Sequence, residues 1–398
     1  MRNMLKSFIL SKLRRIFQPL LLLLFLGSLI GTLLFGSTVV AQLPRPEIRG
    51  VWMTVNDKDI LRDRTKVVEA MQQLRRLNFN TIYPVVWNSG YVMYDSAVAK
   101  RNGIQPFVYK GFDGHDILAD ITNQAHRQRL LAIPWFEFGF MAPPTSELAI
   151  AHPQWLTQRL DGSQTSISAA GEVVWLNPFH PQVQQLITDL VIEIVSKYNV
   201  DGIQFDDHMS LPNDFGYDKY TIALYTEETQ LQPPNNPQDP DWTRWRADKI
   251  TAFMIQLNQA VKAVRPNLIF SVAPAPYDAA YRLHLQDWLD WVRLDIVDEL
   301  IVQVYRPDVP SFVAKITRPE IQEAQQKIPT AIGILTGLRT RPVSIRQIGL
   351  QVQAAKQYGL GVSFFYYESL WNHATETVAQ RESAFQALFP SLALRVTR

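Results

Sequence analysis

Eight stretches rich in β-branched and aromatic residues recur along this 398-residue chain, and amphipathic stretches separate them. The strand predictions cover 48–55, 81–87, 130–138, 202–207, 269–274, 300–305, 330–337 and 361–370. The helix predictions cover 64–77, 116–129, 180–198, 242–265, 312–327 and 344–358, with a shorter, less regular connection around 286–294. Because strand–helix alternation gives parallel strands, eight repeats of it predict an α/β fold of the (β/α)8 TIM-barrel type.

The connections between these elements are unequal in length. Each helix leads into the next strand through a few residues, whereas long segments leave the second, third and fourth strands, at 88–115, 139–178 and 208–241. In a TIM barrel the strand-to-helix loops lie at the C-terminal face, where active sites are found. The extra residues therefore predict a functional site on that face.

Residues 1–41 are predicted to lie outside the fold. Five basic residues and no acid occupy the first fifteen positions, an apolar run extends to Phe35, and Val39 and Ala41 stand at the −3 and −1 positions of a small-residue cleavage site. This order is typical of a secretory signal, and the run is also close to the lower limit for an N-terminal membrane anchor. We expect an exported protein, periplasmic or extracellular, whose residues 42–398 form one barrel domain and which contacts the membrane only through the leader, if the leader is not cleaved.

Composition excludes several functional classes. The chain carries a net charge of +2, and removal of the five leader positives leaves about −3, which gives no support for a nucleic-acid partner. The chain has no cysteine, so thiolate metal sites and disulfides are excluded. The seven histidines are scattered without an HExxH pattern, and glycine-rich nucleotide-binding loops and the GxSxG motif are also missing. We therefore expect neither a metal nor a redox cofactor.

The fourth predicted strand ends in the sequence "DGIQFDDH". Side chains alternate along a strand, so Gln204 and Asp206 share the face directed at the barrel axis. Asp206 is the first candidate for chemistry. Asp207 and His208 continue into the long fourth loop, where capping is as good an interpretation as catalysis or substrate contact.

A glycosidase needs a second carboxyl group, since one acid protonates the leaving oxygen while the other acts as nucleophile or base. Glu137 at the end of "IPWFEF" and Glu368 at the end of "FFYYES" both have aromatic neighbours, which would raise a carboxyl pKa toward the working range of an acid. The candidates rank Asp206, then Glu137, Glu368 and Asp207, and the sequence leaves the pairing open.

Aromatic and amide side chains gather near the predicted strand ends. Such groups suit sugar rings, whose C–H faces stack on aromatic rings while their hydroxyls form hydrogen bonds. For any single ring, packing in the core is the favoured interpretation; for the group as a whole, a sugar-binding groove is as good an interpretation as core packing. The predicted substrate-binding residues are Trp52, Asn56, Trp87, Trp135, Gln204, His208, Gln303, Tyr305, Tyr367 and Trp371.

Several motifs, in order, resemble the bacterial glycosyl hydrolase-like 10 family over nearly the whole chain after the leader. They are "EIRGVWMT", "GHDILADITNQAHRQRLLAIPWFEF", "HPQWLTQRLDGS", "VVWLNPFHPQVQQLITDLVIEIVSKYNVDGIQFDDH" and "GVSFFYYESL". The resemblance implies a secreted or envelope-anchored TIM barrel that hydrolyses an envelope or extracellular glycan, with peptidoglycan strands as the natural candidate. The strand-four carboxylate of the family matches Asp206, with Asp207 beside it. The envelope lipoprotein cysteine of many members is missing.

More distantly, "DGIQFD" resembles the strand-four motif of α-amylases. Gln204 replaces the arginine of that motif, and the fifth predicted strand lacks the glutamate that α-amylases use as acid, so that mechanism does not transfer. Two other functions remain open at this point. One is a non-catalytic barrel that binds glycan as an envelope tether or scaffold, and the other is a metal-dependent hydrolase that uses Asp206, Asp207 and His208.

Overall fold

The computed structural model describes residues 46–105 and 115–395. Eight parallel strand positions form a closed barrel in which each strand pairs with the next along the chain and the last pairs with the first. The strands are β1 (Arg49–Met53), β2 (Thr81–Asn88), β3 (Leu131–Ala132 and Trp135–Phe136), β4 (Gly202–Asp206), β5 (Ile269–Ala273), β6 (Glu299–Gln303), β7 (Thr330–Leu335) and β8 (Gly361–Phe365). The predicted (β/α)8 barrel is confirmed.

Helices surround the strands. Those that pack around the barrel are Arg64–Arg76, Ile117–Arg127, Pro181–Lys197, Pro240–Val264, Tyr277–His284, Trp288–Arg293, Val309–Ile316, Pro319–Lys327, Ile345–Gln357 and Val378–Leu388. The predicted helix 312–327 is two helices, because Pro319 has no N–H to donate and begins a new helix. The irregular fifth connection also contains two short helices, Tyr277–His284 and Trp288–Arg293.

Two predicted strands are shorter than expected. The segment 130–138 pairs as two pieces, and Pro134 lies between them without an N–H to donate to the ladder. The segment 361–370 leaves the sheet after Phe365, and Tyr367–Trp371 forms a short helix. Glu368 therefore lies in the first turn of a helix and not at a strand end as predicted.

The interior of the barrel contains a connected polar network. The indole of Trp52 donates to Gln204 Oε1 at 2.7 Å, and the Gln204 amide donates to Ser271 Oγ at 2.9 Å. The Ser271 hydroxyl and the Tyr83 hydroxyl both donate to Glu299 Oε1, at 2.9 and 2.8 Å. The contacts of Gln204 with β1 and β5 place it inside the barrel, in agreement with the predicted strand phase.

The long loops carry structure of their own. The third loop contains a three-stranded antiparallel sheet formed by Met141–Ala142, Gly171–Trp175 and Thr165–Ser168. The other elements in the loops are Val55–Asp57, Lys58–Leu61, Tyr91–Val92, Ala97–Arg101, Glu147–Ala151, Pro153–Trp155, Lys219–Thr229, Gly337–Leu338 and Arg341–Pro342. This elaboration lies on the face predicted to be functional.

A buried hydrogen-bond cluster joins the third and fourth loops. Asn177, in the motif "WLNP", donates to Asp218 Oδ1 at 2.9 Å and to Thr221 Oγ1 at 2.8 Å. The Thr157 hydroxyl donates to Asp218 Oδ2 at 2.7 Å. Because every member of this cluster is buried, it fixes the position of the two loops against each other.

At the opposite face the C-terminal segment closes the barrel. Glu47 N–H donates to the Leu394 carbonyl at 3.0 Å, and the guanidinium of Arg395 binds Glu299 Oε2 from below. Within 46–105 and 115–395, no helix is long and apolar enough to cross a membrane. The predicted leader, residues 1–41, lies outside the described residues.

Candidate active site

Asp206 is the last residue of β4 and its side chain is buried inside the mouth of the barrel. Its Oδ1 accepts a hydrogen bond from the Asp207 N–H at 2.8 Å and another from the Gln303 amide on β6. Burial, followed by the neighbouring charge of Asp207, raises the pKa of Asp206 well above its ordinary value, while His208 lowers it. The predicted inward direction of Asp206 agrees with its contact to Gln303.

Three carboxyl-bearing residues surround His208. Its Nδ1 lies 2.8 Å from the Glu137 carbonyl oxygen, 3.3 Å from Asp207 Oδ1 and 3.8 Å from Asp206 Oδ2. Burial alone would lower the pKa of His208, but the carboxylates of Asp207 and Asp206 raise it to about 10. His208 is therefore an imidazolium at neutral pH and acts as the counter-ion of the cluster.

Glu137 follows β3, next to the cluster on the neighbouring strand. Its Oε2 accepts a hydrogen bond from the Asn88 amide at 2.6 Å. Burial raises the pKa of Glu137 to about 7, against the lowering effect of Asn88 and of the His208 charge. A carboxyl group that titrates near neutral pH suits a general acid.

Tyr305 lies near the acids of the mouth. Burial, followed by the nearby charges of Asp206, Asp207 and Glu137, raises its pKa well above the ordinary value. The Tyr305 ring lies 5.5 Å from the ring of Phe365, and both residues are half-buried. Tyr305 was predicted as a substrate-binding residue and Phe365 was not. The two rings pack against each other near the C-terminal ends of β6 and β8.

Glu368 has different partners. Its Oε2 pairs with Arg339 Nη2 at 3.0 Å, its Oε1 lies 3.5 Å from His373 Nε2, and its backbone N–H donates to Asp57 at 2.6 Å. Arg339 also donates to the carbonyl of the exposed Asn56 at 3.1 Å. Because Arg339 holds the carboxylate, Glu368 is less available for proton transfer than Glu137.

Most of the predicted sugar-stacking rings are packed in the core. Trp52, Trp87 and Trp135 are 1%, 0% and 2% exposed, and the indole of Trp87 donates to the Gly139 carbonyl at 2.9 Å. Tyr367 donates to Gln73 at 2.6 Å, and Trp371 packs on the outer helix Val378–Leu388. These rings present no open face to a glycan in this structure, whereas Tyr305 does lie at the mouth.

The loops that carry the cluster are held in close contact. Phe140 N–H donates to the His208 carbonyl at 3.0 Å, and the buried Gln286 amide donates to the Asp206 carbonyl at 3.0 Å. Gly139 has a φ of +47°, and a Cβ added there would lie 2.2 Å from the His208 carbonyl oxygen. The sequence did not single out Asn88 or Gln286; the predicted second strand stopped at Trp87, whereas β2 in the structure includes Asn88 as its last residue.

The same cluster contains three side chains of types that bind metal ions. One ligand atom each from Asp206, Asp207 and His208 lie within 4.8 Å of one another. His208 Nδ1 lies 2.8 Å from the Glu137 carbonyl oxygen, a contact in which this nitrogen donates, so Nε2 is the His208 atom that could bind a metal. The three side chains are therefore a possible set of metal ligands as well as an internal ion cluster.

Comparison with known proteins supports a hydrolase relationship. Glycosyl hydrolase DigH of Escherichia coli K12 is 24% identical over 299 residues, which is 67% of this chain and 64% of that protein. Glycosyl hydrolase YngK of Bacillus subtilis 168 is 21% identical over 271 residues, 63% of this chain and 49% of that protein. The chain thus spans less than two thirds of the length of each of these relatives.

The fold has counterparts among solved structures. The PgaB (BpsB) glycoside hydrolase domain from Bordetella bronchiseptica superposes with a TM-score of 0.64 at 13% identity, over 89% of this chain and 100% of that one. At this identity the likeness concerns the fold. The sequence model of the family described as "Glycosyl hydrolase-like 10" matches residues 47–355. The chain therefore belongs to the glycosyl hydrolase-like 10 family.

Proposed function

We propose that this protein is a glycoside hydrolase that cleaves a bacterial envelope or extracellular glycan by a two-carboxylate mechanism. One observation carries the proposal: Asp206 is the last residue of β4, Glu137 directly follows the adjacent strand β3, and His208 Nδ1 lies between them, 3.8 Å from Asp206 Oδ2 and 2.8 Å from the Glu137 carbonyl oxygen. Membership of a glycosyl hydrolase-like family supports it.

Burial raises the pKa of both acids, so the roles are assigned from their contacts and not from the direction of the pKa shift. Asp206 accepts two hydrogen bonds at Oδ1 and faces the His208 imidazolium, contacts that favour an anion able to act as nucleophile or base. Glu137 accepts one side-chain hydrogen bond, and burial raises its pKa to about 7. Glu137 is thus the general acid that protonates the leaving oxygen.

Peptidoglycan strands are the first candidate substrate. The expected export signal would place the barrel outside the cytoplasm, where such strands are the abundant glycan of a bacterial envelope. The relatives of similar sequence are named glycosyl hydrolases. No redox cofactor or metal is required by this chemistry.

The direct test replaces Asp206 by Asn, which keeps the shape of the side chain and removes the nucleophile or base. We expect cleavage of purified glycan strands to fall by about a thousandfold or more, measured by mass spectrometry of released products. Asp161→Asn, the same change at an exposed position of the third loop, should leave turnover unchanged. Undiminished turnover by Asp206→Asn would remove Asp206 from the mechanism.

Assays of glycan binding and product release by the wild-type protein distinguish the hydrolase from the two alternative functions. If it binds glycan strands and releases no product under any condition that keeps it folded, the barrel is a glycan-binding tether and the hydrolase proposal fails. Product release that stops on addition of a chelator and returns with a divalent cation would support the metal-dependent alternative.

A further inference from the structure

Asn88 lies at the C-terminal end of β2 and is buried beside Glu137. Its Nδ2 donates to Glu137 Oε2 at 2.6 Å, a short distance for a hydrogen bond between an amide and a carboxyl group. β2 pairs with β3, so the strands that bear Asn88 and Glu137 are adjacent in the barrel wall. The pairing of these two strands therefore brings Asn88 and Glu137 into contact.

The neighbouring residue fixes the orientation of the Asn88 amide. The Ser89 hydroxyl donates to Asn88 Oδ1 at 2.7 Å. With Oδ1 occupied by a donor, the NH2 group of the amide points at Glu137. Ser89 itself has a φ of +55°, in the turn that follows β2, and this backbone conformation brings its hydroxyl back to the strand end.

We propose that Asn88 is the positioning residue of the general acid: its amide holds Oε2 of Glu137 and leaves Oε1 as the oxygen that carries and delivers the proton. This inference rests on the proposed function, because it assigns the acid role to Glu137. It selects Glu137 over Glu368, whose carboxylate is held by the charged Arg339.

The proton-transfer step balances with these groups alone. The O–H bond at Glu137 Oε1 breaks, its electron pair stays on the carboxyl group, and the proton forms a new bond to the glycosidic oxygen. That oxygen keeps the electron pair of its broken bond to the sugar carbon, which Asp206 or a water molecule activated by Asp206 attacks. The Asn88 hydrogen bond becomes stronger as Glu137 becomes an anion, so Asn88 stabilises the transition state more than the ground state.

Removal of the amide has two consequences of known sign. The carboxylate form of Glu137 loses a donor, so its pKa rises and the group remains protonated to higher pH. The developing anion in the transition state loses the same donor, so the chemical step slows. KM changes little, because Asn88 touches the acid and not the substrate.

The experiment compares Asn88→Ala and the isosteric Asn88→Asp with the wild type. We expect kcat to fall about tenfold to a hundredfold and the basic limb of the pH–rate profile to move up by about one pH unit in Asn88→Ala. Asn88→Asp places a second carboxylate beside Glu137 and should therefore move the basic limb to a still higher pH. Asn102→Ala is the matched control, since the Asn102 amide donates to the backbone carbonyl of Val98 at 2.9 Å, on the helix Ala97–Arg101.

A second measurement does not depend on activity. Carbon-13 labelling of the glutamate carboxyl groups, with the Glu137 resonance identified by its loss in Glu137→Gln, gives the pKa of Glu137 in each variant. An upward shift in both Asn88 variants and none in Asn102→Ala supports the inference. An unmoved Glu137 titration in folded Asn88 variants overturns it, even where kcat has fallen. A wild type without glycosidase activity would count against the proposed function, while the titration still decides whether Asn88 controls Glu137.

Discussion

At the scale of single residues, the protonation of Glu137 controls the expected pH dependence. A general acid works in its protonated form, so kcat/KM should decline as the pH rises through about 7, the raised pKa of Glu137. Asp206 works in its ionised form, and its pKa is also raised. The acid limb of the profile should therefore fall at a higher pH than the titration of an ordinary aspartate would give. We expect a narrow bell-shaped profile, measured with purified glycan strands between about pH 4 and 9.

Glu137→Gln and Glu368→Gln distinguish the two candidate acids. Glu137→Gln should lower turnover by about a hundredfold or more and abolish the basic limb. Glu368→Gln should keep that limb, because Glu368 is held by Arg339 and sits next to Asp57. If the basic limb disappears in Glu368→Gln and remains in Glu137→Gln, the assignment of the acid is reversed.

Strand periodicity predicted the buried acids of the site better than its aromatic rings. The period of two placed Gln204 and Asp206 inside the barrel, and their contacts to Trp52 and Gln303 agree. Trp87 was predicted from its place near a strand end and not from strand phase, and the structure buries its ring against Phe136, where the register between β2 and β3 shifts between Val85 and Trp87. An irregularity of pairing depends on the neighbouring strand, so one strand's sequence does not reveal it.

At the scale of elements, loop lengths were readable from the sequence and loop contacts were not. The long third and fourth loops were predicted, yet the cluster of Asn177, Thr157, Asp218 and Thr221 that joins them is formed by residues up to 64 positions apart in the sequence. Its hydrogen bonds become visible only when both loops are placed on one barrel face. The motif "WLNP" is explained by this structural role of Asn177.

The contact between the third and fourth loops is tested by Gly139→Ala. The new methyl group would overlap the His208 carbonyl, and the left-handed backbone disfavours alanine. We expect a loss of unfolding free energy of at least about 2 kcal/mol and displacement of His208 from Asp207, measured by denaturant unfolding and by the pKa of His208. Gly103 also has a positive φ, +71°, but open space surrounds the position of an added Cβ. Gly103→Ala should therefore lower the unfolding free energy only through the strained backbone conformation, by about 1 kcal/mol. Equal effects of the two changes would mean that the loop contact is not tight.

At the scale of the whole molecule, strand–helix alternation was sufficient to predict the barrel because each repeat encodes one strand and its covering helix locally. The polar network in the interior could not be predicted in the same way. Tyr83 and Glu299 are 216 positions apart, and Arg395 and Glu299 are 96 apart. The contacts of Glu299 with Tyr83, Ser271 and Arg395 give it a structural role.

The closure of the lower face by the C-terminal segment gives the last prediction. Arg395→Met would leave the Glu299 carboxylate buried without its ionic partner, which costs about 3–5 kcal/mol of unfolding free energy in comparable cases. The double variant Glu299→Gln with Arg395→Met removes both charges and should recover much of that loss, because the unpaired charge and not the missing contact is the main penalty. Arg62→Met, which breaks the exposed pair with Asp59, is the matched control and should cost less than about 1 kcal/mol. An Arg395→Met protein as stable as Arg62→Met would show that the barrel does not depend on this ion pair for closure.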